Sequence, residues 1–114
     1  MQNEKYRTVI FFKDYFEKFF VKQNSKVKEK IIWTIELIED VERVSINYLK
    51  HIEGATGLYE IRVKVKSDIF RIFCFFDKGK LVVLANGYQK KKQKTPKKEI
   101  AKALKIKKEY EKEK

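Results

Sequence analysis

Two arginines in the second half of the chain, Arg62 and Arg71, have the type and spacing to hold a phosphate group. Each lies in a run of alternating apolar and polar residues that predicts a β-strand, and a short polar turn separates the runs. A two-residue hairpin at residues 66–67 would place Arg62 directly opposite Arg71. Because guanidinium forks match the geometry of phosphate oxygens, the sequence predicts an anion site on this hairpin.

Lysines add to this predicted site. Lys64 shares the face of Arg62, since side chains of a strand alternate with period two. The last predicted strand ends at Tyr88 and runs into a basic loop, whose lysines are Lys90, Lys91, Lys92 and Lys94. Thr95, whose hydroxyl can cap a helix, and Pro96, which suits its first turn, are typical of a helix start and would hold this loop between a strand and a helix.

Two opposed arginines repel each other by roughly 0.2–1 kcal/mol, as cross-strand pairs of like charge do. Glu60 or another carboxylate could relieve this repulsion in an Arg62–Glu–Arg71 ion-pair network. Alternatively, a bound anion relieves the repulsion. Lys64 and the basic loop favour the anion.

Other catalytic chemistries find little support in the sequence. His51 is the only histidine, which excludes a histidine acid–base pair, and we expect it to be a loop residue without a chemical role. Cys74 lies in an apolar run and is predicted to be a packed core thiol. The acidic residues are scattered without ligand-like spacing, so neither a metal site nor a cofactor is expected.

The hydrophobic pattern predicts the element order β-α-α-β-β-β-α in one domain of residues 1–114. Asp14 and Glu17 resemble a capping box for the first helix, and Asn24 or Ser25 can cap the second. The predicted strands are residues 6–12, 58–65, 68–76 and 80–88, and the predicted helices run from 14 to about 21, from 24 to about 44 and from 95 to about 110. Residues 45–56 are predicted to be a connection.

A two-residue turn at residues 78–79 would pair Phe76 with Leu81, Arg71 with Asn86, and Ile69 with Tyr88. One face would then carry the polar residues Arg62, Lys64, Arg71, Asn86 and Tyr88. The other face would be apolar and pack on the helices, with Tyr59, Ile61, Val63, Phe70, Ile72, Cys74, Val83 and Ala85. The final helix would turn a stripe of Ile100, Ala103, Leu104 and Lys107 inward.

The predicted fold class is α+β: a small twisted antiparallel sheet, made of a meander plus the N-terminal strand, packs on an N-terminal helical hairpin and carries a C-terminal helix. Lys and Arg number 28 against 16 Asp and Glu, a net charge of +12. This charge favours nucleic acid or the ribosome as partner, with an anionic membrane surface second. The final helix has too narrow an apolar stripe for a membrane surface, and without a signal-like or spanning segment we expect a cytoplasmic protein.

Several segments resemble phage-derived HigB-like toxins of the RelE/ParE superfamily. Residues 57–62, GLYEIR, are similar to that family's G-[LI]-[WY]-E-[LI]-R segment, with Tyr59 where tryptophan is common, and residues 70–73, FRIF, to its second arginine strand. Residues 87–91, GYQKK, and 93–100, QKTPKKEI, resemble its G-[FY]-x-K-[KR]-x-Q-K-T-P-[KR]-x-E-[IL] ending. The first half of the chain matches only in its order of elements.

The resemblance implies a RelE-like fold and cleavage of translated mRNA in the ribosomal A site. It also implies an antitoxin partner, often a helix-turn-helix DNA-binding protein. Arg62 and Arg71 fall on the family's strand arginines, Lys90, Lys91 and Lys94 on its basic loop, and Tyr88 on its aromatic position.

A mechanism without metal fits these residues, because the RNA's own 2′-hydroxyl can attack the phosphorus. Arg62 and Arg71 would stabilise the extra charge, and Tyr88 could stack on a base or assist a proton transfer. A lysine crowded by other cations could act as base, and the candidates are Lys64, Lys90, Lys91 and Lys94. RNA or ribosome binding is assigned to Lys64, Lys91, Lys92, Lys97 and Lys98.

Two alternatives stay open. A ParE-like toxin would bind DNA gyrase and catalyse no reaction, although the basic loop after Tyr88 favours the ribonuclease. A non-catalytic module that binds RNA or the ribosome would also account for the charge.

Overall fold

A five-stranded sheet with helices on both faces forms the fold, as described by a computed structural model of residues 5–91 and 93–114. The α+β class is therefore confirmed. The strands are β1 (Thr8–Phe11), β2 (Leu49–His51), β3 (Tyr59–Val65), β4 (Asp68–Asp77) and β5 (Leu81–Lys90). The helices are α1 (Tyr15–Phe20), α2 (Ser25–Asp40) and α3 (Lys97–Glu113). The strand order across the sheet is β1-β5-β4-β3-β2.

The β3–β4 hairpin has the predicted register. Arg62 pairs with Arg71, Lys64 with Ile69, and Val65 with Asp68. A slip by one residue would turn Arg71 into the apolar layer, so the alternation of side chains determines this pairing. Lys66 closes the turn in the left-handed region, at φ 57°.

The predicted β4–β5 register is wrong. Asp77 pairs with Leu81 because the turn has three residues, and Lys78 and Gly79 both adopt positive φ. A second shift lies between Ile72 and Cys74, where β5 contains one extra residue. Together the turn and the bulge pair Arg71 with Tyr88 rather than Asn86, and Ile69 with Lys90 rather than Tyr88.

Both faces of the sheet carry a buried apolar cluster, whereas the sequence predicted one apolar face and one polar face. On one face α1 and α2 pack against the predicted side chains of β3 and β4, among them Ile61, Phe70 and Cys74. Val83 and Ala85 were predicted there, but they lie on the opposite face with Phe73 and Phe75, under α3. The shifted β5 register accounts for this exchange.

The two edge strands also differ from prediction. β1 runs parallel to β5, with Thr8 beside Leu81, so the sheet is mixed and not antiparallel throughout. β2 lies within residues 45–56, which were predicted to be a connection. Its pairing with β3 places Lys50 opposite Glu60 and His51 opposite Tyr59, so His51 is a strand residue and not a loop residue.

The helix ends agree with prediction only in part. The Asn24 side chain caps α2 by accepting a hydrogen bond from the Val27 amide at 3.0 Å, as predicted. Asp14 makes no side-chain cap on α1, and α3 begins after Pro96 without a cap from Thr95, so both of those predicted caps are wrong. α2 stops at Asp40, short of residue 44, and α3 continues to Glu113.

Polar contacts hold the C-terminal half of α3 against the rest of the fold. Lys13 forms ion pairs with Glu109 at 2.7 Å and Glu113 at 2.8 Å, which raise the pKa of Lys13. Asp77 accepts a hydrogen bond from the Tyr110 hydroxyl at 2.8 Å. Beneath them Ala103 is buried as predicted, and Ile106, which was not predicted, is buried beside it. None of the helices in the described part of the chain is long and apolar enough to cross a membrane.

Gly87 gives a test of the packing between β5 and α1. A Cβ at this position would lie 2.6 Å from Cδ2 of the Phe19 ring, too close for a real contact. We expect Gly87→Ala to lower the free energy of unfolding by about 1–3 kcal/mol, because overpacking forces side chains from their rotamers. Urea unfolding measures this loss, and adding Phe19→Leu should recover part of it. Additive effects of the two substitutions would contradict the proposed contact.

Candidate functional site

A single carboxylate lies between the two opposed arginines. Glu60 Oε2 is 3.5 Å from Arg62 Nε and 3.5 Å from Arg71 Nε. All three residues share the sheet face that α3 partly covers. Glu60 and Arg62 are two residues apart on β3 and so point to the same side, and Arg71 lies directly opposite Arg62. The Arg62–Glu60–Arg71 ion-pair network, one of the two alternatives that the sequence left open, is therefore present. One carboxylate neutralises only one of the two guanidiniums, so a positive charge remains.

Arg71 is the more enclosed of the two arginines. Its side chain is 6% exposed, against 29% for Arg62, so of the predicted phosphate-holding pair only Arg62 has an appreciable part of its side chain open to solvent. Among the described residues its Nε has no hydrogen-bond partner, and Nη1 donates only to the Phe70 carbonyl at 3.3 Å. Burial lowers the pKa of Arg71, the Glu60 carboxylate opposes this, and Arg62 adds to it. The enclosed Nε therefore faces Glu60 without hydrogen-bond geometry, and the shared carboxylate leaves the arginine pair with a net positive charge that attracts an anion.

A groove of about 550 Å³ opens beside this pair. Its described lining contains five cationic residues and no carboxylate. The lining residues are Lys30, Asn47, Tyr48, Arg62, Val63, Lys64, Lys66, Ile69 and Arg71. Cations without intervening acids make the groove attractive to a chain of phosphates.

The loop before β2 positions Arg62 at the wall of the groove. Arg62 Nη1 donates to the Ile46 carbonyl at 3.2 Å, and its backbone amide donates to the Tyr48 carbonyl at 2.8 Å. Lys66 lies at the hairpin end of the groove in a backbone conformation that costs an L-residue roughly 1–2 kcal/mol.

Lys90 lies on the same face as the arginines. It pairs with Ile69, which lines the groove, while Lys64 pairs with Ile69 from the other side. Lys64 and Lys90 therefore lie on either side of Ile69, on the two neighbouring strands, with their Cα atoms roughly 10 Å apart by normal strand spacing. Burial lowers the pKa of Lys90, and Arg71, Arg62 and Lys50 lower it further, while Glu60 opposes them.

Tyr88 lies directly opposite Arg71, but its ring is not open to a base. It stacks on Phe73, with ring centroids 5.7 Å apart and planes inclined by 19°, and packs against the core under α3. Burial raises the pKa of Tyr88, and the nearby Thr95 hydroxyl opposes that shift without reaching hydrogen-bond geometry. Tyr88 therefore borders the arginine pair as a protonated hydroxyl, while Asn86 on the same face donates to Glu99 of α3.

The remaining predicted lysines differ in position. Lys64 is exposed and lines the groove. Lys91, Lys94, Lys97 and Lys98 are exposed after β5 and at the start of α3, and none of them is among the groove's lining residues. Lys92 lies outside the described residues.

Sequence reasoning missed the part of the site that comes from α2 and the following loop. Lys30 lines the groove from α2, and Asn47 and Tyr48 line it from residues predicted to be a plain connection. Lys30 lies three residues after Val27 and four before Thr34, both buried, so helical periodicity placed it on the flank of the inner stripe. Lys66 was assigned only to the turn. The local sequence does not show which strand of the sheet these residues would contact.

Two other predicted features have structural explanations. Cys74 is fully buried, and burial raises the pKa of its thiol, which confirms a packed core position. His51 packs edge-on against Tyr59 with centroids 5.1 Å apart. Among residues 5–91 and 93–114, no three His, Cys, Asp or Glu side chains cluster as metal ligands would.

Comparison with known proteins identifies a family. Curated protein sequences give no match to the chain. The model of a family described as phage-derived, Gp49-like proteins matches residues 18–108. The match extends from α1 into α3 and includes every groove residue. It therefore covers well over half of the protein, which belongs to the phage-derived Gp49-like family, a toxin-like family.

Proposed function

We propose that the protein is the toxin of a toxin–antitoxin pair and cleaves messenger RNA on the ribosome. The observation that carries the proposal is the groove, which is lined by five cationic residues and no carboxylate, with the almost fully buried Arg71 among the five. Membership of a toxin-like family supports the biological role, and the similarity of residues 57–62 and 87–100 to HigB-like toxins supports the reaction. We also propose that the order of strands and helices is the RelE-like arrangement.

The proposed reaction uses the RNA's own 2′-hydroxyl. Its oxygen forms a bond to the adjacent phosphorus, the bond from phosphorus to the 5′-oxygen breaks, and a cyclic phosphate is left on the upstream RNA. Arg62 and Arg71 hold the phosphate oxygens and stabilise the charge that builds up on them. This charge exists mainly in the transition state, so the arginines lower the barrier more than they tighten ground-state binding.

We assign the proton transfers to two lysines. Lys90, with its lowered pKa, accepts the proton of the 2′-hydroxyl. Lys64, which lies on the other side of Ile69, donates a proton to the departing 5′-oxygen. A base and an acid on opposite sides of the phosphate suit an in-line displacement.

The partners follow from the same proposal. The ribosome and its mRNA supply the substrate, and a cognate antitoxin, expected to carry a helix-turn-helix domain, holds the toxin inactive. The net charge of +12 favours association with both the ribosome and an acidic inhibitor. Inhibition of DNA gyrase would instead stop replication before translation.

Arg62→Ala tests the phosphate contact. We expect it to lower the rate of cleavage of a translated message by roughly 10²–10³-fold, as loss of a transition-state donor does. Primer extension on messages translated in vitro measures the cut. Lys112→Ala, an exposed position on α3 outside the groove, is the matched control and should retain full activity. Full cleavage by a folded Arg62→Ala protein would exclude the phosphate contact.

Glu60→Gln separates an anion site from a purely structural ion-pair network. Removing the carboxylate leaves both guanidiniums available, so we expect tighter RNA binding together with lower stability. Fluorescence anisotropy of a labelled RNA and urea unfolding measure the two effects. Weaker RNA binding at unchanged stability would contradict the assignment.

The pH dependence of cleavage tests Lys90. A base must be neutral, so the rate should rise with pH and level off below the ordinary lysine pKa of 10.5. Lys90→Arg keeps the positive charge but stays protonated, and we expect it to lose about 10²–10⁴-fold in rate and the pH-dependent rise. Single-turnover rates between about pH 6 and about pH 9 provide the measurement. Lys91→Arg is the matched control, and an equal loss there would contradict a special role for Lys90.

A further inference from the structure

The single tryptophan of the chain lies exposed at the end of the groove. Trp33 projects from α2 with 45% of its surface exposed, although large aromatic side chains are usually well buried. Tyr48, which lines the groove, packs edge-on against it with ring centroids 5.6 Å apart. The ammonium of Lys30 lies over one face of the indole ring, 4.3 Å from its centroid, in a cation–π contact.

A second concavity of about 420 Å³ connects Trp33 with the groove. Lys30 and Lys64 line both, so the two form one continuous surface. Its other lining residues are Lys26, Glu29, Trp33 and Val65. Glu29 is the one carboxylate in this described lining, against three lysines, so the surface remains cationic as it leaves the arginine pair.

We propose that Trp33 stacks an unpaired base of the bound RNA, next to the nucleotide held by Arg62 and Arg71, while Lys30 binds the phosphate between them. The inference rests on the proposed function and extends the site by a nucleotide subsite. Lys30 covers one face of the indole, and the 45% of the residue that stays exposed can receive a base on the other face. A nucleotide fits this pair, because its base needs a stacking surface and its phosphate needs a cation. An acidic peptide would use the lysines but leave the indole face without a matching partner.

Stacking of this kind has a measurable size. Loss of one base–aromatic contact weakens binding of single-stranded RNA by about tenfold or more. Because no base readout by hydrogen bonds is involved, every base should be accepted to a similar degree. The subsite should therefore raise affinity without imposing a sequence.

The uniqueness of Trp33 makes a direct test possible, since all tryptophan fluorescence comes from this residue. The full chain is titrated with a labelled single-stranded RNA that carries 2′-O-methyl groups to prevent cleavage. RNA anisotropy reports binding, and tryptophan emission reports stacking. A strand of equal length with abasic sugars, and inorganic polyphosphate, are the controls. We expect all three to bind the groove and only the RNA with bases to quench Trp33.

Two variants complete the experiment. Trp33→Ala should bind the RNA with bases about tenfold more weakly and leave affinity for the abasic strand unchanged. Trp33→Phe should recover most of the loss, which a merely structural role would not predict. In the cleavage assay Trp33→Ala should raise KM and leave kcat nearly unchanged.

The outcomes separate this inference from the proposed function. Binding of RNA without quenching, or equal quenching by polyphosphate, overturns the subsite and leaves the RNA-binding groove intact. Absence of binding by every strand also overturns the subsite, and cleavage of a translated message then decides independently on the nuclease. Quenching that requires bases, together with loss of affinity in Trp33→Ala, establishes the subsite.

Discussion

The shared carboxylate of Glu60 is the interaction on which the site depends. It allows two guanidiniums to lie side by side in a place where one of them is almost completely shielded from water. Without Glu60 the buried charge of Arg71 would be uncompensated, which destabilises folded proteins strongly. With Glu60 the charge is balanced only by half, and the remainder faces a groove lined by cations. Stability and attraction for an anion therefore arise from the same three residues.

The sheet can carry this site because its two faces are covered unequally. α1 and α2 pack on one face, while α3 covers the end of the other face near Phe73, Phe75 and Ala85. The bulge in β5 brings Tyr88 opposite Arg71. A bulge re-aims the side chains that follow it, and here it also pairs Lys90 with Ile69 of the groove lining.

Sequence reasoning predicted those features that depend on local alternation. The β3–β4 pairing, and with it the meeting of Arg62 and Arg71, followed from a two-residue turn and an apolar face. The β4–β5 pairing could not be derived, because nothing in the sequence distinguishes a three-residue turn and a bulge from a tight hairpin. The short strand β2 has only three residues, too few for a periodic signal.

The remainder of the site depends on contacts between distant segments. Lys30 and Tyr48 come close to the edge of β3 only through tertiary packing. The periodicity of the sequence predicts that Lys30 lies in a helix and Tyr48 in a loop, but it does not predict which strand they contact. For the same reason the burial of Arg71 was not predicted. Its strand position was evident, while the depth of that position depends on how much of the sheet the helices cover.

The parallel pairing of β1 with β5 has a consequence for how the chain folds. β1 is synthesised first of the strands, yet its partner is synthesised last, and pairing between such distant segments is slow because a long loop must close. The β3–β4–β5 meander consists of neighbouring segments and can form ahead of that closure. The pairing of Arg71 with Tyr88 and of Ile69 with Lys90 needs β5, so a growing polypeptide cannot complete the site until β5 has left the exit tunnel.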